Sequence, residues 1–213
     1  MKITPEIHFI DPLHPAAGPI DAAVQVLAGG GVIAFPTGCL YGLGTDAMRA
    51  AAVDRVFAIK NRPADNPLLV LVPERQFVFS LAAQVPPVAQ KLMDRFWPGQ
   101  VTIVFKAQGG LPANLTAGTG KIGIRLPGHP VAAALVAAFG RPITGTSANL
   151  SGREGCHGIE DLDPLLMAQL DLVLDAGSLN QGVGSTVVDI SGDEPVVLRE
   201  GVVSQPAILA ALR

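Results

Sequence analysis

Two pairs of polar side chains, each pair two residues apart, are where this 213-residue sequence could do chemistry. Lys60 and Arg62 offer a point charge and a planar fork of donors. Ser147 and Asn149 offer neutral donors and acceptors. Charge and neutral hydrogen bonding in that combination suit a triphosphate and its nucleoside. Each piece also has a plainer reading: Arg62 as a surface cation, Ser147 and Asn149 as ordinary turn residues. The pairs lie in Lys60-Asn-Arg-Pro-Ala-Asp-Asn-Pro-Leu68 and Ser147-Ala-Asn-Leu-Ser-Gly152. Two further polar segments, Pro36-Thr-Gly-Cys-Leu-Tyr-Gly-Leu-Gly44 and Gly184-Ser-Thr-Val-Val-Asp189, also sit at predicted element ends. Strand ends of open α/β sheets converge on one edge, where such folds bind ligands, so the four segments are expected to line one cleft.

Other chemistries find less support. Gly42-Leu-Gly-Thr-Asp-Ala47 matches GxGxxA, but six residues separate its first glycine from the preceding strand, where a dinucleotide fingerprint needs glycine at the strand end. Gly118-Thr-Gly-Lys-Ile122 approximates a P-loop but has Leu115 in place of the first glycine and Ile122 in place of the hydroxyl that would hold magnesium. His8, His14, His129 and His157 have no paired spacing, and no GxSxG or HExxH is present, so a histidine-based triad is unsupported. His129 reads as a turn or helix-capping residue. Cys39 and Cys156 lie far apart without zinc-like spacing, which argues against structural zinc or a disulfide framework.

The elements that must position these residues follow from composition and periodicity. Hydrophobic residues make up 49% and charged residues 15%, enough apolar side chain for a substantial core, which excludes disorder and coiled coil. No apolar run reaches the roughly 18 residues of a membrane span, and Met1 to Pro15 lacks a signal-peptide pattern, so a cytoplasmic protein is expected. The formal net charge of -3 conceals a basic middle: residues 49–153 carry twelve basic and four acidic side chains, residues 154–213 two and ten. A basic centre in an acidic chain favours a local anion site over a nucleic-acid surface.

Periodicity predicts a helix from Ala22 to Leu27 capped by Asp21, and helices over 51–60, after Pro73, and over 86–96, 130–139, 162–170 and 206–212. Strands are predicted over 32–35, 68–72, 101–105, 122–126, 143–146, 172–174, 185–190 and 196–199. Pro36 to Gly44 reads as a polar turn, and Ala107 to Lys121 as a Gly-containing loop that is the candidate lid. This order predicts an α/β fold: a twisted open mixed sheet flanked by helices, in one domain over 1–213.

Seven segments occur in the order of one known family. They are Pro-Thr-x-x-x-Tyr-Gly-Leu-Gly, Lys-x-Arg-Pro-x-x-x-Pro-Leu, Trp97-Pro-Gly-Gln-Val-Thr102, Gly123-Ile-Arg-Leu-Pro127, Ser147-Ala-Asn-Leu-Ser-Gly152, Gly184-Ser-Thr-Val-Val-Asp189 and Leu198-Arg-Glu-Gly201. From about Gly29 to Val202 the chain resembles the YrdC/TsaC family of L-threonylcarbamoyl-AMP synthases, in its short, single-domain form.

The resemblance implies a YrdC-like fold with a concave basic cleft. It implies a nucleotidyltransferase that makes threonylcarbamoyl-AMP and pyrophosphate from L-threonine, bicarbonate or CO2, and ATP with Mg²⁺, with no metal held by the protein's own residues. Partner enzymes would transfer the group to tRNA adenosine beside the anticodon. Lys60, Arg62, Ser147 and Asn149 match the family's catalytic set. Arg62, Asn66, Thr102, Asn149, His157 and Arg199 match ATP positions. Thr37, Cys39, Leu71, Lys106, Arg125, Ser147 and Ser185 match the threonine side. Gly38, Cys39 and Leu71 depart from the commoner family residues, which leaves open a paralogue handling another carbamoyl or acyl adenylate. A double-stranded RNA-binding module, in contact with tRNA, is the non-enzymatic alternative; an aromatic content of 5% leaves few stacking platforms for single strands.

Overall fold

The computed structural model describes residues 4–180 and 182–212. In chain order the elements are β1 (Glu6–Phe9), α1 (Ala17–Ala28), β2 (Ile33–Pro36), β3 (Tyr41–Gly44), α2 (Ala50–Lys60), β4 (Leu69–Leu71), a 3-10 turn (Arg75–Phe77) running into α3 (Val78–Leu81), and α4 (Pro87–Phe96). There follow β5 (Val101–Lys106), β6 (Lys121–Arg125), α5 (Pro130–Phe139), β7 (Ile143–Thr144), β8 (Thr146–Ser147), a 3-10 turn (Ile159–Asp161), α6 (Pro164–Met167), β9 (Leu172–Asp175), β10 (Thr186–Asp189), β11 (Val196–Arg199) and α7 (Gln205–Leu212). No helix among the described residues is long and apolar enough to cross a membrane.

The strands form two mixed sheets, β1-β9-β2-β3-β8 and β11-β10-β5-β6-β4-β7, where the sequence suggests one. The division occurs at Gly145. Ile143 and Thr144 pair with β4, and Thr146 and Ser147 pair with β3 in the other sheet. The Gly145 amide donates to Leu69 O at 3.0 Å, and a Cβ there would lie 2.7 Å from Leu71 Cγ. The predicted strand 143–146 is therefore two short strands, because only a bare glycine lets the chain cross this close to β4. Helices α1 and α5 pack together on the first sheet, and α4 and α7 on the second.

The segment from Pro36 to Gly44 is a hairpin and not an extended polar turn. β3 pairs antiparallel with β2, Phe35 opposite Gly42, and Tyr41 and Leu43 are sealed from solvent. Its glycines serve packing: a Cβ on Gly44 would stand 2.7 Å from the ring of Phe35, itself fully buried. The polar spacing hides the strand because two of its four residues are glycine.

Three further expectations change. Helix α1 begins at Ala17, so Asp21 lies inside it; Pro19 falls in the first turn, where a missing N–H is tolerated. The helix expected over 162–170 shrinks to one turn after Pro164, capped by the Asp163 carboxylate, which accepts from the amides of Leu165 and Leu166. The edge strand β1, with its exposed Ile7 and Phe9, carries no alternation strong enough to announce it. His129 does cap α5, accepting from Val131 N through Nδ1 at 3.3 Å. The loop 107–120 is anchored: Leu115 is fully buried, and Asn114 donates to Ala50 O and to the Asp54 carboxylate.

Gly44→Ala is expected to lower the unfolding free energy by about 1–3 kcal/mol, as overpacking against a rigid ring does. Urea titration measures it; an unchanged midpoint would mean Phe35 yields freely.

Candidate functional site: an arginine-lined cleft

Register places the site residues on one face of the six-stranded sheet. Leu71 pairs with Arg125, Thr102 with Val187, and Val187 with Arg199; the β5–β6 register sets Arg125 beside Thr102. A parallel row holds Leu69, Gly123, Val104 and Asp189. Partners across a sheet point to the same side, so both rows share a face. The opposite face, with Val70, Ile103, Ile124 and Val188, is core.

Two cavities open on this face and meet at Leu69, Arg62 and Arg199. The first, about 310 Å³, is walled by the hairpin residues Thr37, Cys39 and Leu40, by Arg125 and Gln100, by the crossover from Gly145 through Ser147 to Asn149, and by Gly184, Ser185 and Arg153. Four arginines line it, and no described carboxylate does. The second, about 450 Å³, is more apolar: Pro67, Leu69, Val104, Val187 and Leu198 accompany Asn66, Thr102 and Asp189. The site thus lies on a sheet face between the two sheets, and not along one strand-end edge.

Three of the four arginines are held by protein acceptors. Arg62 donates through Nε to Asn66 O and through Nη2 to Asn66 Oδ1, both at 2.8 Å. Arg125, 6% exposed, donates to Gly99 O at 2.7 Å and Thr37 O at 2.8 Å, so it ties the hairpin of one sheet to the Trp97–Gln100 turn of the other. Arg199 reaches Ser185 O at 2.8 Å. Burial pulls all three guanidinium groups below their ordinary range, Arg125 to about 10, and Arg199 adds to the pull on Arg62 and Arg125. Crowded, partly desolvated cations without a counter-charge make an anion site.

Lys60, at the C-terminus of α2, is 1% exposed and lies beneath the cleft. Its ammonium donates to Ser147 O at 2.5 Å, Asn149 O at 2.6 Å and Asn149 Oδ1 at 3.1 Å. Ser147 Oγ donates to Asn149 Oδ1 at 2.5 Å, and Asn149 Nδ2 donates to Arg153 O. Lys60 therefore shapes the Ser147–Asn149 turn from below, and Ser147 and Asn149 face the cleft. Burial first, then Arg62, pulls the Lys60 ammonium down to about 7.

The structure gathers Thr37, Cys39, Arg62, Arg125, Ser147, Asn149, Ser185 and Arg199 around the first cavity, and Asn66 and Thr102 in the second. Four sequence candidates stand elsewhere. Lys60 is buried. Leu71 is fully buried under Gly145, because the crossover covers that end of the sheet. Lys106 lies four residues beyond Thr102 along β5, about 13 Å at the rise of a strand, and lines neither cavity. His157 lines a neighbouring cavity, and its Nδ1 lies 2.7 Å from Cys39 O, bracing the hairpin turn. Arg153 and Gln100 are lining residues the sequence reading omits; their signal is position, directly after Gly152 and inside the Trp-Pro-Gly-Gln segment. Among the described residues no group of three His, Cys, Asp or Glu side chains could hold a metal ion.

The Sua5_yciO_yrdC family model, described as telomere recombination, matches residues 25–201. The chain belongs to the Sua5/YciO/YrdC family. It is 36% identical to the threonylcarbamoyl-AMP synthase of Bacillus subtilis over 213 residues, 100% of this chain and 60% of that protein. It is also 36% identical to the synthase of Pyrococcus abyssi over 182 residues, 84% of this chain and 54% of that one. The chain thus spans little more than half the length of these relatives. Its fold is similar to P. abyssi Sua5 complexed with L-threonine, with TM-score 0.89, 32% identity and coverage of 96% of this chain and 60% of that one. It is similar as well to Escherichia coli YciO, with TM-score 0.81, 32% identity and coverage of 93% and 96%.

The depressed Lys60 pKa gives a signed prediction for this family member. Between about 7 and the ordinary 10.5 the unfolded chain binds more protons at Lys60 than the folded one, so folding at this residue becomes more favourable as pH rises. Urea unfolding at pH 7 and pH 9 is expected to show the native chain gaining stability relative to Lys60→Met; a pH-independent difference would mean that the ammonium keeps its proton throughout.

Proposed function

We propose that the cleft joins L-threonine, CO2 from bicarbonate, and ATP into L-threonylcarbamoyl-AMP, releasing pyrophosphate. One observation carries the reading: a cavity lined by four arginines and no described carboxylate opens into a more apolar cavity large enough to take a base. The names of the two synthases and of the threonine-bound relative support it.

The assignment of parts follows polarity. The adenine belongs against Leu69, Val104 and Val187, with Asn66 and Thr102 for polar contacts, and the phosphates at the junction between Arg62 and Arg199. The amino acid belongs between Thr37, Cys39, Arg125, Ser147 and Ser185. The threonine amine adds to CO2 and loses a proton, giving a carbamate. A carbamate oxygen then attacks the α-phosphorus, a P–O bond forms, and the bond to the bridging oxygen breaks so that pyrophosphate leaves with the electron pair. The carbamate is already a nucleophile, so the step needs positioning and charge neutralisation more than a general base, which suits a site rich in arginine and poor in titratable bases.

Magnesium enters this reading as part of the ATP substrate, held by phosphate oxygens and water; Asp189, the one described carboxylate lining either cavity, is paired with Lys121 at 2.8 Å. Transfer of the product to tRNA by partner enzymes, possession of a cytoplasmic site of action and a single-domain working unit belong to the same proposal. A paralogue using another acceptor is the second reading, favoured by Cys39, whose sulfur lies 3.9 Å from Gln100 Nε2 inside the amino-acid half.

Pyrophosphate release from ATP, magnesium and bicarbonate is expected to require L-threonine, with L-serine much poorer and no release after divalent metal is removed. ATP binding without threonine-dependent release would move the assignment to the paralogue. Arg62→Ala is expected to leave the Tm within a few degrees and to lower kcat/KM at least 100-fold, about 2.7 kcal/mol of transition-state binding. Loss of activity only in proportion to unfolding would remove Arg62 from the site.

A further inference from the structure

Arg199, the last residue of β11, leads into a strap whose fastening is a side chain on the far side of the sheet. Thr186 is fully buried on β10 and, by strand alternation, faces away from the cleft that Ser185 and Val187 line. Its Oγ1 donates to Val203 O at 2.5 Å and accepts from the amides of Gly201 at 3.0 Å and Val203 at 3.1 Å. One proton and two lone pairs are thereby all used. The Val202 amide adds a bond to Gly184 O at 3.2 Å, and a Cβ on Gly201 would run into the backbone of Gly184, Ser185 and Thr186. The strap begins directly after Arg199, whose Nη2 donates to Ser185 O and Oγ, while Ser185 Oγ lies 2.9 Å from Thr102 Oγ1.

We infer that Thr186 is a positioning residue for Arg199: its saturated hydroxyl clamps Gly201–Val203 to β10, and that clamp sets the guanidinium over the junction of the two cavities. This rests on the reading of that junction as the phosphate site. Valine at 186 has the same shape but leaves two half-buried amides and one carbonyl without their hydroxyl partner, so the strap lifts and Arg199, the last residue of β11, loses the anchor on its C-terminal side.

The test is binding of α,β-methylene-ATP in a double-mutant cycle. Thr186→Val is expected to weaken binding about tenfold in the native background and to add nothing in an Arg199→Ala background, while Thr186→Ser stays within about twofold. Equal weakening in both backgrounds, or none in either, overturns the inference. A native chain that does not bind the analogue refutes the phosphate-site reading alone; positioning is then read from the Arg199 Nε–H resonance, expected to exchange slowly in the native and Thr186→Ser chains and to be lost in Thr186→Val. Its persistence in the valine variant overturns the clamp. Should that variant not fold, amide exchange in the native chain decides: protection of Gly201 and Val203 comparable with β10 supports the clamp, and exchange at the free rate overturns it.

Discussion

The Lys60 ammonium, sealed at the last turn of α2, has all three of its N–H groups directed at one short turn in another part of the chain, Ser147 to Asn149. Removing an ammonium from water costs several kcal/mol. Three charge-assisted bonds and the negative end of a helix offset part of that cost, provided the two carbonyls and the amide oxygen stay where they are, and the remainder shows in the lowered pKa. The constraint works in both directions. The turn cannot relax without stranding a buried charge, so Ser147 and Asn149 present fixed polar atoms to the cleft. The crossover at Gly145 brings that turn within reach, because it carries the chain from the edge of one sheet to the edge of the other.

Above this anchored floor the charge balance is deliberately one-sided. Arg125 bridges the two sheets through Thr37 O and Gly99 O, and Arg62 is held by the Asn66 loop. Among the described residues no carboxylate lines the first cavity beside them, although the chain as a whole is acidic. Partial burial raises the free energy of each unpaired guanidinium, and proximity raises it further. A polyanion in the cleft would relieve both effects at once, which is the physical basis of the proposed phosphate site.

The backbone hydrogen bonds that hold these arginines also explain why the cleft needs a two-sheet scaffold. Each guanidinium is aimed by carbonyls from a different element: Thr37 O from the hairpin, Gly99 O from the turn before β5, Asn66 O from the loop after α2, Ser185 O from the entry to β10. A shift of either sheet would move one arginine relative to the others. Rigidity of the scaffold and convergence of charge are therefore the same property.

Much of this was legible in the sequence. Apolar periodicity located α2, α4, α5 and the central strands to within a residue or two, since those elements bury one face and their patterns follow from it. The spacing of Lys60 with Arg62 and of Ser147 with Asn149 marked two segments that the fold brings to one cleft, with Arg62, Ser147 and Asn149 in its lining and Lys60 buried beneath. The hairpin strand β3 and edge strand β1 were not legible: glycines in the one and exposed residues in the other erase the alternation. Nor could sequence separate residues that face the cleft from those that support it. Lys60 and Leu71 sit in the right segments yet lie beneath the surface, Lys106 is one row beyond Val104 along β5, and Arg153 enters the lining from a loop. The sequence by itself determined which residue types are present and which elements carry them. Facing and distance were decided only by tertiary structure, because they depend on strand register and on where two sheets meet, which no local pattern encodes.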